Sequence, residues 1–158
     1  MIFTAAKCLG DKGYEYIKPI YKSSDPELKE DIIVYLTKRK AAEFSSFFDD
    51  MRLSLDENAK IKLAEYYGSV GARNAADFMQ DELMQTKYHQ KEYRYALVRT
   101  LAVCGNYNTI AVLNKCRNGM SREADRAIAV IQMRIGAGDS GWLSVQKTEE
   151  DDGFLNME

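Results

Sequence analysis

The sequence predicts an all-α fold of about four stacked helical hairpins. Three observations carry that expectation. First, Arg39-Lys40-Ala41-Ala42-Glu43-Phe44 recurs 34 positions on as Arg73-Asn74-Ala75-Ala76-Asp77-Phe78. A further step of 34 reaches Tyr107-Asn108-Thr109-Ile110-Ala111-Val112, which keeps the small-then-apolar rhythm. Intervals of this size mark stacked supersecondary units, each of which buries its apolar face against its neighbours. Second, no segment alternates apolar and polar residues as a half-buried strand does. Third, there are only two prolines in 158 residues, Pro19 and Pro26, so the rest of the chain is free to be helical.

The elements follow in order. Met1 to Gly10 reads as a short helix closed at Gly10-Asp11, and Tyr14 to Lys22 as a second piece. Asp25-Pro26 offers an N-cap followed by proline in the first turn. Leu28, Ile32, Ile33 and Leu36 then fall at helical spacing, with a glycine-free break at Thr37-Lys38. Ala41, Ala42, Phe44, Phe47, Phe48 and Met51 make the next stripe. Asp56 caps a helix whose apolar face is Ala59, Leu63, Tyr66, Tyr67 and Val70, and Gly71 ends it. Ala75, Phe78, Met79, Leu83 and Met84 follow. A polar link from Gln85 to Gln90 leads to Tyr93, Leu97, Thr100, Leu101 and Cys104, stopped at Gly105-Asn106. Ile110, Leu113 and Cys116 form a short helix, and Ser121 to Ile135 a longer one with an imperfect capping box at Ser121. Trp142, Leu143 and Val145 suggest a last short helix. The folded unit is expected over 1–146, with an acidic tail over 147–158.

A chain of 158 residues can bury roughly 70% of its unfolded surface in one core. The formal net charge of −2 argues against non-specific nucleic-acid binding, which needs a basic field. Cys8, Cys104 and Cys116 have no metal-ligand spacing and read as buried thiols of a cytoplasmic protein. No apolar run approaches the ~20 residues that span a bilayer, and no signal-peptide pattern opens the sequence.

The punctuation resembles a family. Asp56-Glu57-Asn58-Ala59-Lys60, Leu63-Ala64, Tyr66-Tyr67-Gly68, Val70-Gly71, Ala75-Ala76 and Phe78 are similar to the short bacterial HEAT repeat. Asp25-Pro26-Glu27-Leu28-Lys29 is the same opening one unit earlier, and Tyr93-Arg94, Leu97, Leu101, Cys104-Gly105-Asn106 and Ile110 carry it one unit later. Leu9-Gly10-Asp11 and Ile135-Gly136 match closing turns, so the likeness covers roughly 4–146. The tetratricopeptide repeat shares the period, but Gln80 and Asn114 stand where it needs buried aromatics. The HEAT resemblance implies that the basic position (Lys29, Lys60, Arg94) ties neighbouring units through an acidic turn residue. That ladder should fail near Asp125. Thr4 to Gly10 resembles the second helix of a unit without its first, which leaves Ile2, Phe3 and Leu9 to be covered.

The resemblance also implies a right-handed α-α superhelix, a HEAT-like solenoid in which the second helix of each unit lines a concave face. Ile61, Tyr95 and Arg126 then form one stripe, Glu65, Arg99 and Val130 the next, and Ser69, Val103 and Arg134 the third. Tyr95 with Arg99, Arg126 and Arg134 has the aromatic-plus-arginine character of interface hot spots, so this strip is the expected partner-binding face. Tyr66, Tyr67 and Tyr93 are expected in the core. The single histidine, His89, lies in a polar link and reads as a solvated side chain. No nucleophile elbow or phosphate loop is present, and no cofactor is expected. Asp49-Asp50 and Glu149-Glu150 lie at a helix end and in the tail rather than in an enclosed acid–base site.

The tail has five acids, Glu149, Glu150, Asp151, Asp152 and Glu158, around Phe154, Leu155 and Met157. It reads either as a solvated end or as a peptide that docks in a groove, its own or a partner's. The expected function is a non-catalytic scaffold or adaptor that holds an acidic or extended protein segment. The alternatives are a chromophore-handling subunit like the phycobilin lyases, and nucleic-acid binding by a HEAT-like fold, which would need a basic groove with exposed Trp; Trp142 is the one tryptophan.

Overall fold

The computed structural model describes residues 11–49 and 55–137. Among them the chain is all helical. The elements are α1 (Asp11–Ser23), α2 (Pro26–Arg39), a 3-10 turn (Ala42–Phe44), α3 (Ser45–Asp49), α4 (Glu57–Val70), a second 3-10 turn (Arg73–Ala75), α5 (Ala76–Gln85), α6 (Lys91–Cys104), α7 (Tyr107–Lys115) and α8 (Ser121–Gly136). The expected opening helix, the Trp142 helix and the acidic tail lie outside the described residues.

The long helices α2, α4, α6 and α8 lie side by side in chain order, α4 between α2 and α6, and α6 between α4 and α8. The shorter α5 packs on α6, α7 on α8, and α5 on α7. The core runs along this array. Ile32, Ile33 and Leu36 of α2 are buried, as are Leu63, Ala64, Tyr66 and Tyr67 of α4, Leu97, Val98 and Leu101 of α6, and Ala127 and Ile131 of α8. Removing each leucine or isoleucine from water stabilises the array by about 2 kcal/mol. Tyr66, Tyr67 and Tyr93 all point inward, at 0%, 0% and 3% exposure. An aromatic cluster closes the α1 end, where Tyr21 meets Phe48 edge-on at 5.3 Å and Phe48 meets Tyr66 at 5.2 Å.

Local chemistry sets the boundaries. Asp25 accepts from the Leu28 amide and Asp56 from the Ala59 amide, both at 2.8 Å. Gly71 ends α4 in the left-handed region at φ 65, ψ 38. Lys40 does the same for α2 at φ 51, ψ 42, which supplies without glycine the stop that the sequence lacks at Thr37-Lys38. Asn106 and Thr109 form a reciprocal capping box at the start of α7. Ser121 does not cap α8; Met120 occupies that position with no side-chain bond.

These caps correct the register. Lys40 corresponds to Gly71, Ala41 to Ala72, and Asp25 to Asp56, all 31 positions apart. The Ala41 amide donates to Leu36 and the Ala72 amide to Tyr67, the same closing bond one unit on. Ala41 and Ala75 are therefore not equivalent, although their sequence contexts match at 34. The step of 34 does hold for the next unit, from Asp56 to Gln90 and from Gly71 to Gly105. Cap to cap, the three helices are equally long (40 − 25, 71 − 56 and 105 − 90 all give 15), so the variation lies in the connections.

Candidate partner-binding groove

Residues three and four apart on a helix share a face. On α6 this places Tyr95, Val98, Arg99 and Ala102 together, and on α8 Glu123, Arg126, Ala127 and Val130. The two faces line an open groove of about 380 Å³. Val98 and Ala127 form its floor at 1% and 3% exposure. The alanines at 102 and 127 keep the facing helices from filling the space. Tyr95, Arg99, Glu123 and Arg126 form the rim, and Val130 stands exposed at the edge.

Four of the residues expected on the strip, Tyr95, Arg99, Arg126 and Val130, thus meet in one groove. Tyr95 is half-buried, with its hydroxyl 3.5 Å from the Gly119 carbonyl. Arg99 is 68% exposed and lies 3.8 Å from Glu65, whose carboxylate also meets Lys62 at 3.6 Å. An exposed pair of this length contributes little. Arg126 is exposed and has no ion-pair or hydrogen-bond partner among the described residues.

The rest of the strip, Ile61, Glu65, Ser69, Val103 and Arg134, lies outside its lining. Glu65 is on α4, beside Arg99 and outside the groove lining. Ile61 is half-buried and packs against the core. The Arg134 guanidinium donates to the Val103 and Gly105 carbonyls, where it ties α8 to the end of α6. Both terminal nitrogens are thereby engaged in packing, and Nε is buried without a partner among the described residues. Residue type alone does not distinguish such an arginine from a rim arginine. The floor residues Val98, Ala102 and Ala127 were not singled out from the sequence, where a pair of facing alanines was the available signal.

A second, polar cavity of about 340 Å³ opens where α4, α5 and α6 meet. Glu82 accepts there from Lys60 at 3.2 Å and from the Tyr93 hydroxyl at 2.8 Å. Burial raises the Tyr93 pKa, and Glu82 adds to the rise. Among the described residues the implied basic ladder meets a carboxylate at Lys60. One unit on, buried Arg94 donates instead to carbonyls, at 3.0 Å to Cys116, 3.3 Å to Thr86 and 3.4 Å to Asn118, and lies over the Tyr88 ring at 4.8 Å. At Asp125 the polarity reverses and the carboxylate accepts from Arg117.

Burial pushes the Cys104 thiol up to about 11, against smaller opposing effects of Arg134 and Arg73, and raises that of Cys116. Both stay protonated and poorly nucleophilic at neutral pH. Among the described residues no cluster of three or more His, Cys, Asp or Glu is placed to hold a metal ion, and no helix is long and apolar enough to cross a membrane. None of the family models, curated proteins or solved structures compared with the chain matches it.

Proposed function

We propose that this chain is a HEAT-like helical-repeat interaction module, non-catalytic, that holds a short extended segment of a partner protein in the α6–α8 groove. The carrying observation is the groove's make-up: a buried apolar floor at Val98 and Ala127 beneath a rim with one tyrosine, two exposed arginines and one glutamate. Side-by-side long helices with shorter ones packed on them are what a right-handed superhelix of stacked hairpins would produce. Such folds bind by long open surfaces, and an open trough between neighbouring helices suits an extended peptide better than an enclosed small molecule. The floor accepts a small apolar side chain. Arg99 and Arg126 suit carboxylates on either side of it, through charge-assisted bonds.

The test is selection from a random peptide library on the intact chain, followed by titration of the enriched peptides. Enriched sequences should place Asp or Glu beside an aliphatic or aromatic residue. Tyr95→Ala and Arg99→Glu should each weaken binding by about tenfold or more, as removal of an interface anchor does, and exposed Arg99→Glu should do so with little change in melting temperature. Peptides held equally well by the parent and both variants would place the binding face elsewhere.

A further inference from the structure

We infer that the groove has an occupant of its own: the acidic tail, residues 147–158, docks between α6 and α8 and competes with the partner. The inference rests on the groove being the binding face proposed above, and adds its regulation. The tail sequence Glu149-Glu150-Asp151-Asp152-Gly153-Phe154-Leu155 places four carboxylates next to two large apolar side chains. The groove offers the complement: Arg126 is unpaired among the described residues, Arg99 meets Glu65 only at 3.8 Å, the two arginines outnumber the single Glu123 on the rim, and Val98 and Ala127 lie below. Connectivity favours the same occupant. The tail follows α8, the helix that forms one wall of the groove. From Ala137 back to Val130 is about 10 Å along the helix axis at 1.5 Å per residue. The twelve residues from 138 to 149 can extend to about 40 Å, so the tail can fold back over the full wall with slack. A short tether keeps the tail at millimolar effective concentration, so weak contacts suffice to hold it in cis.

The test uses the full chain with Phe154 replaced by p-benzoylphenylalanine. Illumination and peptide mapping should give crosslinks within one molecule to α6 and α8 around Val98, Ala102 and Val130. The yield should be independent of protein concentration, and should fall several-fold in 0.5 M salt and in Arg99→Glu/Arg126→Glu. Crosslinks elsewhere, or only between molecules, would overturn the inference. A second measurement separates it from the partner reading. If the tail fills the groove about nine-tenths of the time, Phe154→Ala/Leu155→Ala should bind a library-selected peptide about tenfold more tightly than the parent. Equal affinities would discard the tail and keep the partner. Crosslinks in the groove with no peptide retained by either chain would keep the tail and discard the partner.

Discussion

The Arg94 guanidinium donates to the Cys116 carbonyl at 3.0 Å across 22 positions of sequence, the interval over which Lys60 reaches Glu82 one unit earlier. The two basic residues do the same mechanical task with different acceptors. A guanidinium satisfies several carbonyls at once, whereas an ammonium meets a single carboxylate as a point charge. Arg94→Lys should therefore destabilise the chain by about 1–3 kcal/mol, because buried acceptors lose their donors. The urea midpoint measures this, and a midpoint unchanged from the parent would show that the carbonyls are satisfied without Arg94.

Lys40 holds a left-handed conformation that costs a side-chain-bearing residue roughly 1 kcal/mol, at the position where the next unit has Gly71. Lys40→Gly should stabilise the protein by about 0.5–1 kcal/mol. Gly71→Ala should destabilise it by a similar amount, since nothing lies within 4 Å of the added methyl and the effect is confined to the backbone. Thermal melts of the two variants should move in opposite directions.

Arg126 and Arg134 lie two turns apart on α8 and should separate by assay. Arg134→Ala removes the donors to Val103 and Gly105 and should cost about 1–3 kcal/mol of stability. Arg126→Ala should leave stability within about 0.5 kcal/mol of the parent, as exposed substitutions do, and weaken peptide binding. A destabilised Arg126→Ala would mean that this arginine also packs.

Burial raises the Tyr21 and Tyr66 hydroxyls from 10.0 to about 12 and the Cys104 thiol from 9.0 to about 11. Each group keeps its proton longer folded than unfolded, so the folded state binds more protons in alkali. Its contribution is complete below the unfolded value and is lost as pH climbs through the folded one. Stability should hold through pH 8 and fall between about pH 9 and 12. Phenolate absorbance should show these tyrosines ionising late, together with unfolding. Full titration of all ten near pH 10 in a folded chain would contradict the burial.

Much of the architecture was legible because helix ends carry local signals. Asp25, Asp56 and Gly71 stand where their side chains, or the lack of one, satisfy end-turn geometry, and Tyr66, Tyr67 and Tyr93 fall on the inward stripe. The register was misread where similar words occupy different places. Ala41-Ala42 begins a 3-10 turn, while Ala75-Ala76 ends one, and only cap geometry separates the two. Lys40 was invisible as a stop because lysine advertises no left-handed preference. Arg134 looked like a rim charge and Arg94 like the partner of an acidic turn residue, because their acceptors are backbone carbonyls, which every residue has. The groove floor was hidden for the opposite reason, since Val98 and Ala127 look like any other core residues until two helices leave a gap above them.

The equal cap-to-cap span of α2, α4 and α6, set against connections of unequal length, divides the labour of the molecule. Struts of fixed size set the rows of the array, of which α6 is one wall of the groove, while the spacer between them can be lengthened or trimmed without changing the residues a row displays. An insertion in the Thr86–Gln90 loop would alter the pitch between neighbouring struts, as a thicker wedge alters an arch, and would reshape the surface without replacing a residue on it.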